Sequence, residues 1–313
     1  MRKRFQYQIA TGRLTLPVAI ILSVILWVTT FNDKMEVIPF LTGGVVTYLL
    51  IELNTSFALV RNRSSLPSAL FAILFSSSLF LHEYGKGECL ILLLFMGSLY
   101  CLLKGYESKY HSSYIFHTFL WLSLGSIIEP GIILSAPPML IVMCQLRMLS
   151  VKTFFAGIIG LCTPYWLITG YEIYSNNDIT VLSFFNDILK WSVDDYKDIP
   201  LEQYITTGCL LFLSSASGIS SIIISQNDKV RNRTFIWVMN TIGIYETLLM
   251  LIRPVMLKSI LPIVMTMLAI LYGYDMIQRT NKLTYISMII SLVIIVFLTT
   301  YNLMCHFSFV IGL

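Results

Sequence analysis

Charge is what this sequence lacks. Only 12% of its 313 residues are Asp, Glu, Lys or Arg, about half of the roughly 25% typical of a water-soluble domain. With 56% hydrophobic residues and a mean hydropathy of +0.77, the chain cannot cover a globule with polar surface. No sizeable soluble catalytic domain fits in it. Zinc fingers and disulfide frameworks are also excluded by pattern. The six cysteines (Cys89, Cys101, Cys144, Cys162, Cys209, Cys305) lie singly in apolar runs with no C-x-x-C spacing and read as small buried hydrophobes. The four histidines (His82, His111, His117, His306) form no H-x-x-x-H or H-E-x-x-H pattern, so no metal site and no cofactor is expected. The net charge of +4 does not point to nucleic acid, because the basic residues fall in short clusters between apolar runs.

Those runs are what the sequence has in abundance. Eleven are found, over residues 14–31, 38–53, 66–81, 89–103, 113–128, 131–146, 153–171, 205–225, 235–252, 259–274 and 284–301. At about 20 residues per crossing, 313 residues hold on the order of ten or eleven transmembrane helices. The expected fold class is therefore all-α: a polytopic bundle of about eleven spans, forming a single integral membrane domain over 1–313. The first run follows Arg2, Lys3, Arg4 and Arg13, as a signal peptide would. Its length and the ten runs behind it identify it as a retained helix.

Charge placement tests the count independently. Alternate connections carry Arg61 and Arg63, Lys104 and Lys109, Arg147 and Lys152, Lys229, Arg231 and Arg233, and Arg279 and Lys282. With the N-terminal four, these make 15 of the 21 Lys and Arg residues. Basic connections stay in the cytoplasm, so the N-terminus is expected inside and the C-terminus outside, as in a multi-pass protein of the cell inner membrane.

One outward connection, 172–203, has room for structure. Val181, Phe184, Phe185, Ile188 and Leu189 recur at helical spacing opposite Asp187, Lys190, Asp194, Asp195 and Asp198, which predicts an amphipathic interfacial helix. Seven acidic against two basic residues give this loop a charge of −5, so anionic lipid does not hold it down. No internal repeat is visible. The serines and small residues of 214–221 predict close helix packing.

Ionisable groups near an apolar run are the candidates for chemistry, since each is costly in lipid unless paired or wet. Glu129 and Pro130 make the whole turn between two runs of about sixteen residues, each about 24 Å long as helix. Glu129 is thereby expected at the floor of an outward recess, with Pro137 and Pro138 breaking the next helix nearby. His82, Glu83, Lys86 and Glu88, in a turn loosened by Gly85 and Gly87, offer an imidazole and carboxylates suited to acid/base work. Arg253 and Lys258, flanking Pro254, are rare outward cations able to hold a lipid phosphate; an Arg253–Glu246 pair is the alternative. Glu52 is expected to snorkel to the cytoplasmic surface.

Three stretches carry a likeness: "SYIFHTFLWLSLGSIIEPGIILSAPPMLIVM", then "GIIGLCTPYWLITGYEIY", and earlier "RNRSSLPSALFAILF". Together they resemble an uncharacterised family of multispan inner-membrane proteins of Bacteroidetes, a domain of unknown function. That resemblance implies a polytopic envelope protein and no reaction. A looser likeness to polyprenyl-dependent membrane glycosyltransferases rests on the span number and on outward acidic residues, with Asp33 and Glu36 in the first outer loop. The expected function is a non-enzymatic subunit or scaffold of a membrane complex. A transferase or polymerase acting on polyprenyl-linked sugars is one alternative, with Glu129, Glu83 and His82 catalytic and Arg253 and Lys258 on the phosphate. A transporter or flippase is the other. Expected partners are the lipid bilayer and either a lipid-linked substrate or other membrane proteins.

Overall fold

The computed structural model describes residues 12–30, 37–59, 64–83, 85–175, 196, 199–278 and 282–311. The expected interfacial helix of the 172–203 loop lies outside them. Among the described residues there are eleven α-helices and no strand, one helix at each apolar run: α1 Thr15–Thr29, α2 Val37–Phe57, α3 Leu66–Ser77, α4 Lys86–Glu107, α5 His111–Ile128, α6 Ala136–Gln145, α7 Val151–Tyr174, α8 Leu201–Ser225, α9 Val230–Ile252, α10 Leu257–Gln278 and α11 Lys282–Ile311. Seven helical stretches, those at α2, α4 and α7 to α11, are long and apolar enough to cross a membrane. The described residues are thus all-helical, with the long apolar helices of a multi-pass membrane protein.

Several boundaries follow local chemistry rather than hydropathy. α2 runs past its apolar stretch because its polar tail bonds within reach: Asn54 Nδ2 donates to Ser64 O at 2.9 Å, and Thr55 Oγ1 to Ile51 O at 2.7 Å. α3 stops early. The Ser77 and Ser78 hydroxyls both donate to Leu74 O, at 2.8 and 3.2 Å, and the chain tightens into the 3-10 turn Leu79–Glu83.

The helices form two compact units, one from residues 1–86, 199–247 and 261–313, the other from 87–198 and 248–260. In the first unit the connections after α2, α8 and α10 share an end. There Arg231 Nη2 donates to Phe57 O at 3.0 Å, and Asp228 accepts from Tyr274 Oη at 2.6 Å and from Gln278 Nε2 at 3.3 Å. The opposite end joins Trp27, Thr30 and His82, and there Asn302 Nδ2 donates to Ser77 O at 2.8 Å.

In the second unit α5 and α7 are closely packed. A Cβ on Gly157 would lie 2.9 Å from the Phe119 ring, and one on Gly160 would overlap the Phe116 carbonyl oxygen. Two hydroxyl bonds cross the same seam, Ser123 Oγ to Leu161 O and Ser126 Oγ with Tyr165 Oη, both 2.6 Å. At one end Gly105 packs on Tyr114 and Met148, beside the basic connections of Lys104, Lys109 and Arg147. Successive connections therefore alternate between ends in both units, as an up-and-down chain requires.

Candidate functional site

At the other end of the second unit the sequence candidates gather. α5 ends at Ile128 because Pro130 follows Glu129, and a residue before proline is pushed out of helical conformation. Glu129 is accordingly extended, at φ −128° and ψ 103°, with its N–H bonded to Gly125 O at 3.1 Å. Gly131 then lets a second turn come close, since a Cβ there would overlap the sulfur of Met256. Met256 closes the 3-10 turn Pro254–Met256 that Arg253 caps, and Lys258 lies exposed in the first turn of α10. Gly87 approaches from α4, where a Cβ would lie 2.9 Å from Ile128 Cγ2. Tyr196 Oη donates to Leu251 O at 2.5 Å. Two hairpin turns and a helix start are thereby packed together, bringing the turns of Glu88, Glu129, Arg253 and Lys258 to one end.

Burial pushes the Glu129 carboxyl above the ordinary carboxylate range, and the neighbouring Glu88 carboxylate adds to the rise. A half-buried carboxyl with a raised pKa can take up and release protons nearer neutral pH than a solvated one. Beneath it, the Ser126–Tyr165 bond fixes α5 against α7 less than one turn away.

The two arms that flank the Glu129 turn are longer than expected. α5 has 18 residues, about 27 Å of helix. The next arm is not one α-helix but the 3-10 stretch Pro130–Ser135 followed by α6, together also about 27 Å. Pro137 and Pro138 stand where the arm changes from 3-10 to α-helix. They occupy the first turn of α6, where a missing N–H costs nothing.

His82 belongs to the first unit, and its surroundings differ from the solvated turn read from sequence. It is fully buried, at 0% exposure. Its ring stacks on Trp27 at 3.5 Å and 19°, Nδ1 lies 3.3 Å from Thr30 Oγ1, and Nε2 makes no hydrogen bond among the described residues. Burial drives its pKa from 6.5 to about 3, the Ser76 backbone opposing and His306 adding to the shift. The Glu83 side chain lies outside the described residues. Glu52 is exposed and accepts from Ser56 Oγ at 3.0 Å, while Glu246 is fully buried in α9. Among the described residues no three His, Cys, Asp or Glu side chains gather as a metal site.

Sequence reading singled out Glu129, Arg253 and Lys258 as candidates but grouped Glu88 with His82, whereas the structure places it beside Glu129. The signal that pairs the turns, a glycine directly after Glu129–Pro130, is visible only once Met256 is known to fill the space it leaves. No family model, curated protein or solved structure matches the chain.

Proposed function

We propose that the chain is an eleven-span protein of the bacterial cytoplasmic membrane, with its N-terminus inside and its C-terminus outside. On this reading it handles a lipid-linked anion at the outward end of the unit formed by 87–198 and 248–260. The observation that carries the proposal is the packing of the Glu129 turn on the Arg253 turn through Gly131 and Met256. Dispersed turns would favour the scaffold reading; convergent ones supply what a phosphate-bearing headgroup needs. Arg253 and Lys258 are the phosphate donors, and Glu129 is the general base on an acceptor hydroxyl.

Envelope glycan and glycolipid profiling of a deletion strain, complemented at equal expression with Arg253→Ala or Glu129→Gln, tests this. Loss of one phosphate contact should cost about 1.5 to 3 kcal/mol, or roughly ten- to a hundredfold in affinity. Glu129→Gln should act on turnover. In wild type, turnover should rise with pH through a limb above the usual carboxylate range, because burial and Glu88 delay ionisation of Glu129. An unchanged profile in the deletion strain removes the enzyme reading. Full complementation by both variants leaves a scaffold.

A further inference from the structure

The two connections at the Gly105 end of the second unit carry cations that the packing does not use. Lys109 stands between α4 and α5, Arg147 between α6 and α7, and Lys152 in the first turn of α7. All three are exposed, and their side chains make no hydrogen bond or ion pair among the described residues. Arg231 of the first unit differs, being bonded to Phe57 O and lying 5.8 Å from the centroid of the Phe235 ring. Over 104–111 and 147–152 the sequence sets Lys104, Lys109, Arg147 and Lys152 against Glu107 alone, four cations to one acid, or +3.

Arg147 occupies a strained backbone position. It follows the end of α6 at φ 55°, its N–H bonded to Cys144 O at 3.0 Å and that of Met148 to Met143 O at 2.9 Å. In this closing turn glycine normally takes the left-handed position, because a Cβ there crowds the backbone. Topology asks only for positive charge in the connection, which an unstrained position would supply equally. The left-handed residue fixes where the guanidinium leaves the chain. Its surroundings are fixed too: Thr153 Oγ1 donates to Met148 O at 2.8 Å, and His111 Nδ1 to Gly105 O at 2.6 Å. Cations on a braced backbone bind an anion without first ordering a loop.

The face of α7 beneath them selects the anion. Lys152, Phe155, Ile159 and Trp166 fall within about 60° of one another around the helix and span about 20 Å along it, and all four are exposed. A cation thus heads an apolar stripe on a helix long and apolar enough to cross a membrane. A free phosphate, or an acidic segment of a soluble protein, would use the cations and leave the stripe bare. A phospholipid uses both, since the stripe is longer than one leaflet of a hydrocarbon core about 30 Å thick. Phosphatidylcholine would bring its own cation against three others, so the headgroup must be anionic.

We propose that Lys109, Arg147 and Lys152 bind the headgroup of an anionic phospholipid such as phosphatidylglycerol, with an acyl chain along the Phe155 face of α7. Only the choice of leaflet, the inner one, rests on the topology proposed above. The full-length protein in detergent micelles is titrated with phosphatidylglycerol, or with phosphatidylcholine of the same acyl chains, and bound lipids are counted by native mass spectrometry. Phosphatidylglycerol should bind at least tenfold more tightly. Arg147→Gln and Lys152→Gln should each weaken it about fivefold, the effect of one cation at an anionic surface, and leave phosphatidylcholine unchanged. Lys229→Gln, in a basic connection of the first unit, should change neither. Arg147→Gly should weaken phosphatidylglycerol as Arg147→Gln does, yet raise the melting temperature in lipid-free micelles, since glycine adopts the left-handed turn without strain. Equal retention of the two lipids overturns the proposal, and so does an equal loss from Lys229→Gln, which would reduce the effect to net charge. Displacement of phosphatidylglycerol by millimolar inorganic phosphate also overturns it, by assigning the cations to a soluble anion. Micelles have no leaflets, so the titration reads the site alone, while the side from which a cysteine at Lys229 labels reads the topology.

Discussion

An imidazole with no exposed surface changes how stability depends on pH. His82 binds a proton near pH 6.5 once the chain unfolds but only near 3 in the fold. Between those values the unfolded state holds the extra proton, so stability falls as pH drops, by about 1.4 kcal/mol per unit at the steepest. Above pH 6.5 the group contributes no slope. His82→Phe keeps a ring against Trp27 and removes the proton, so the variant should melt at a temperature that declines less than wild type between pH 7 and pH 4.5. Parallel melting curves of the two proteins in detergent over that range would refute the account. The sequence could not reveal this burial. A histidine beside Glu83, Gly85 and Gly87 has the neighbours of a solvated turn, and only the Trp27 ring, fifty-five positions away, converts it into a core residue.

Two glycines on α7 show how one helix answers opposite demands. Gly160 faces α5 so closely that a Cβ would overlap the Phe116 carbonyl oxygen, whereas a Cβ on Gly170 would meet nothing within 4 Å. Backbone cannot step aside as a side chain can, so Gly160→Ala forces α5 and α7 apart and should cost about 1 to 3 kcal/mol. Gly170→Ala fills open space in a helix interior and should stabilise by roughly 0.5 to 1 kcal/mol. Unfolding of both variants by denaturant in mixed micelles should show shifts of opposite sign; shifts of the same sign would show that the seam yields. The stretch from Gly160 to Tyr165 thus has a packing explanation. Gly160 admits α5, and Tyr165 bonds Ser126 across the seam. Helix existence was legible at all eleven runs, because a long apolar stretch has no other way to satisfy its backbone in lipid. Helix ends were not. They depend on partners such as Ser64 O for Asn54, or on the leftward turn of Ala58, φ 48°, and α11 runs on to Ile311, where hydropathy alone ends at Tyr301.

For the whole molecule, the alternation of basic connections predicts which residues a membrane-impermeant thiol reagent reaches from outside. Substituting cysteine at Tyr174, which is exposed at the end of α7, should give outside labelling in intact cells. Cysteine at Lys229, in the basic connection of α8 and α9, should label only after permeabilisation. The reverse pattern would invert the topology, and labelling of both from one side would remove a crossing between them. The convergence of Glu129 and Arg253 was not legible at this scale, because 123 positions separate them in the chain and neither carries a motif.

The division of the chain also sets a timetable for synthesis. The first unit begins with residues 1–86, resumes at 199–247 and is complete only with 261–313, while the second waits for 248–260. A ribosome must therefore thread nine helices before the stretch at α10, almost entirely buried in the finished protein, emerges to be enclosed. Until then the faces that will surround it are left to lipid and to whatever holds unfinished membrane chains, so neither unit reaches its final packing before the residues from 248 onward have been made.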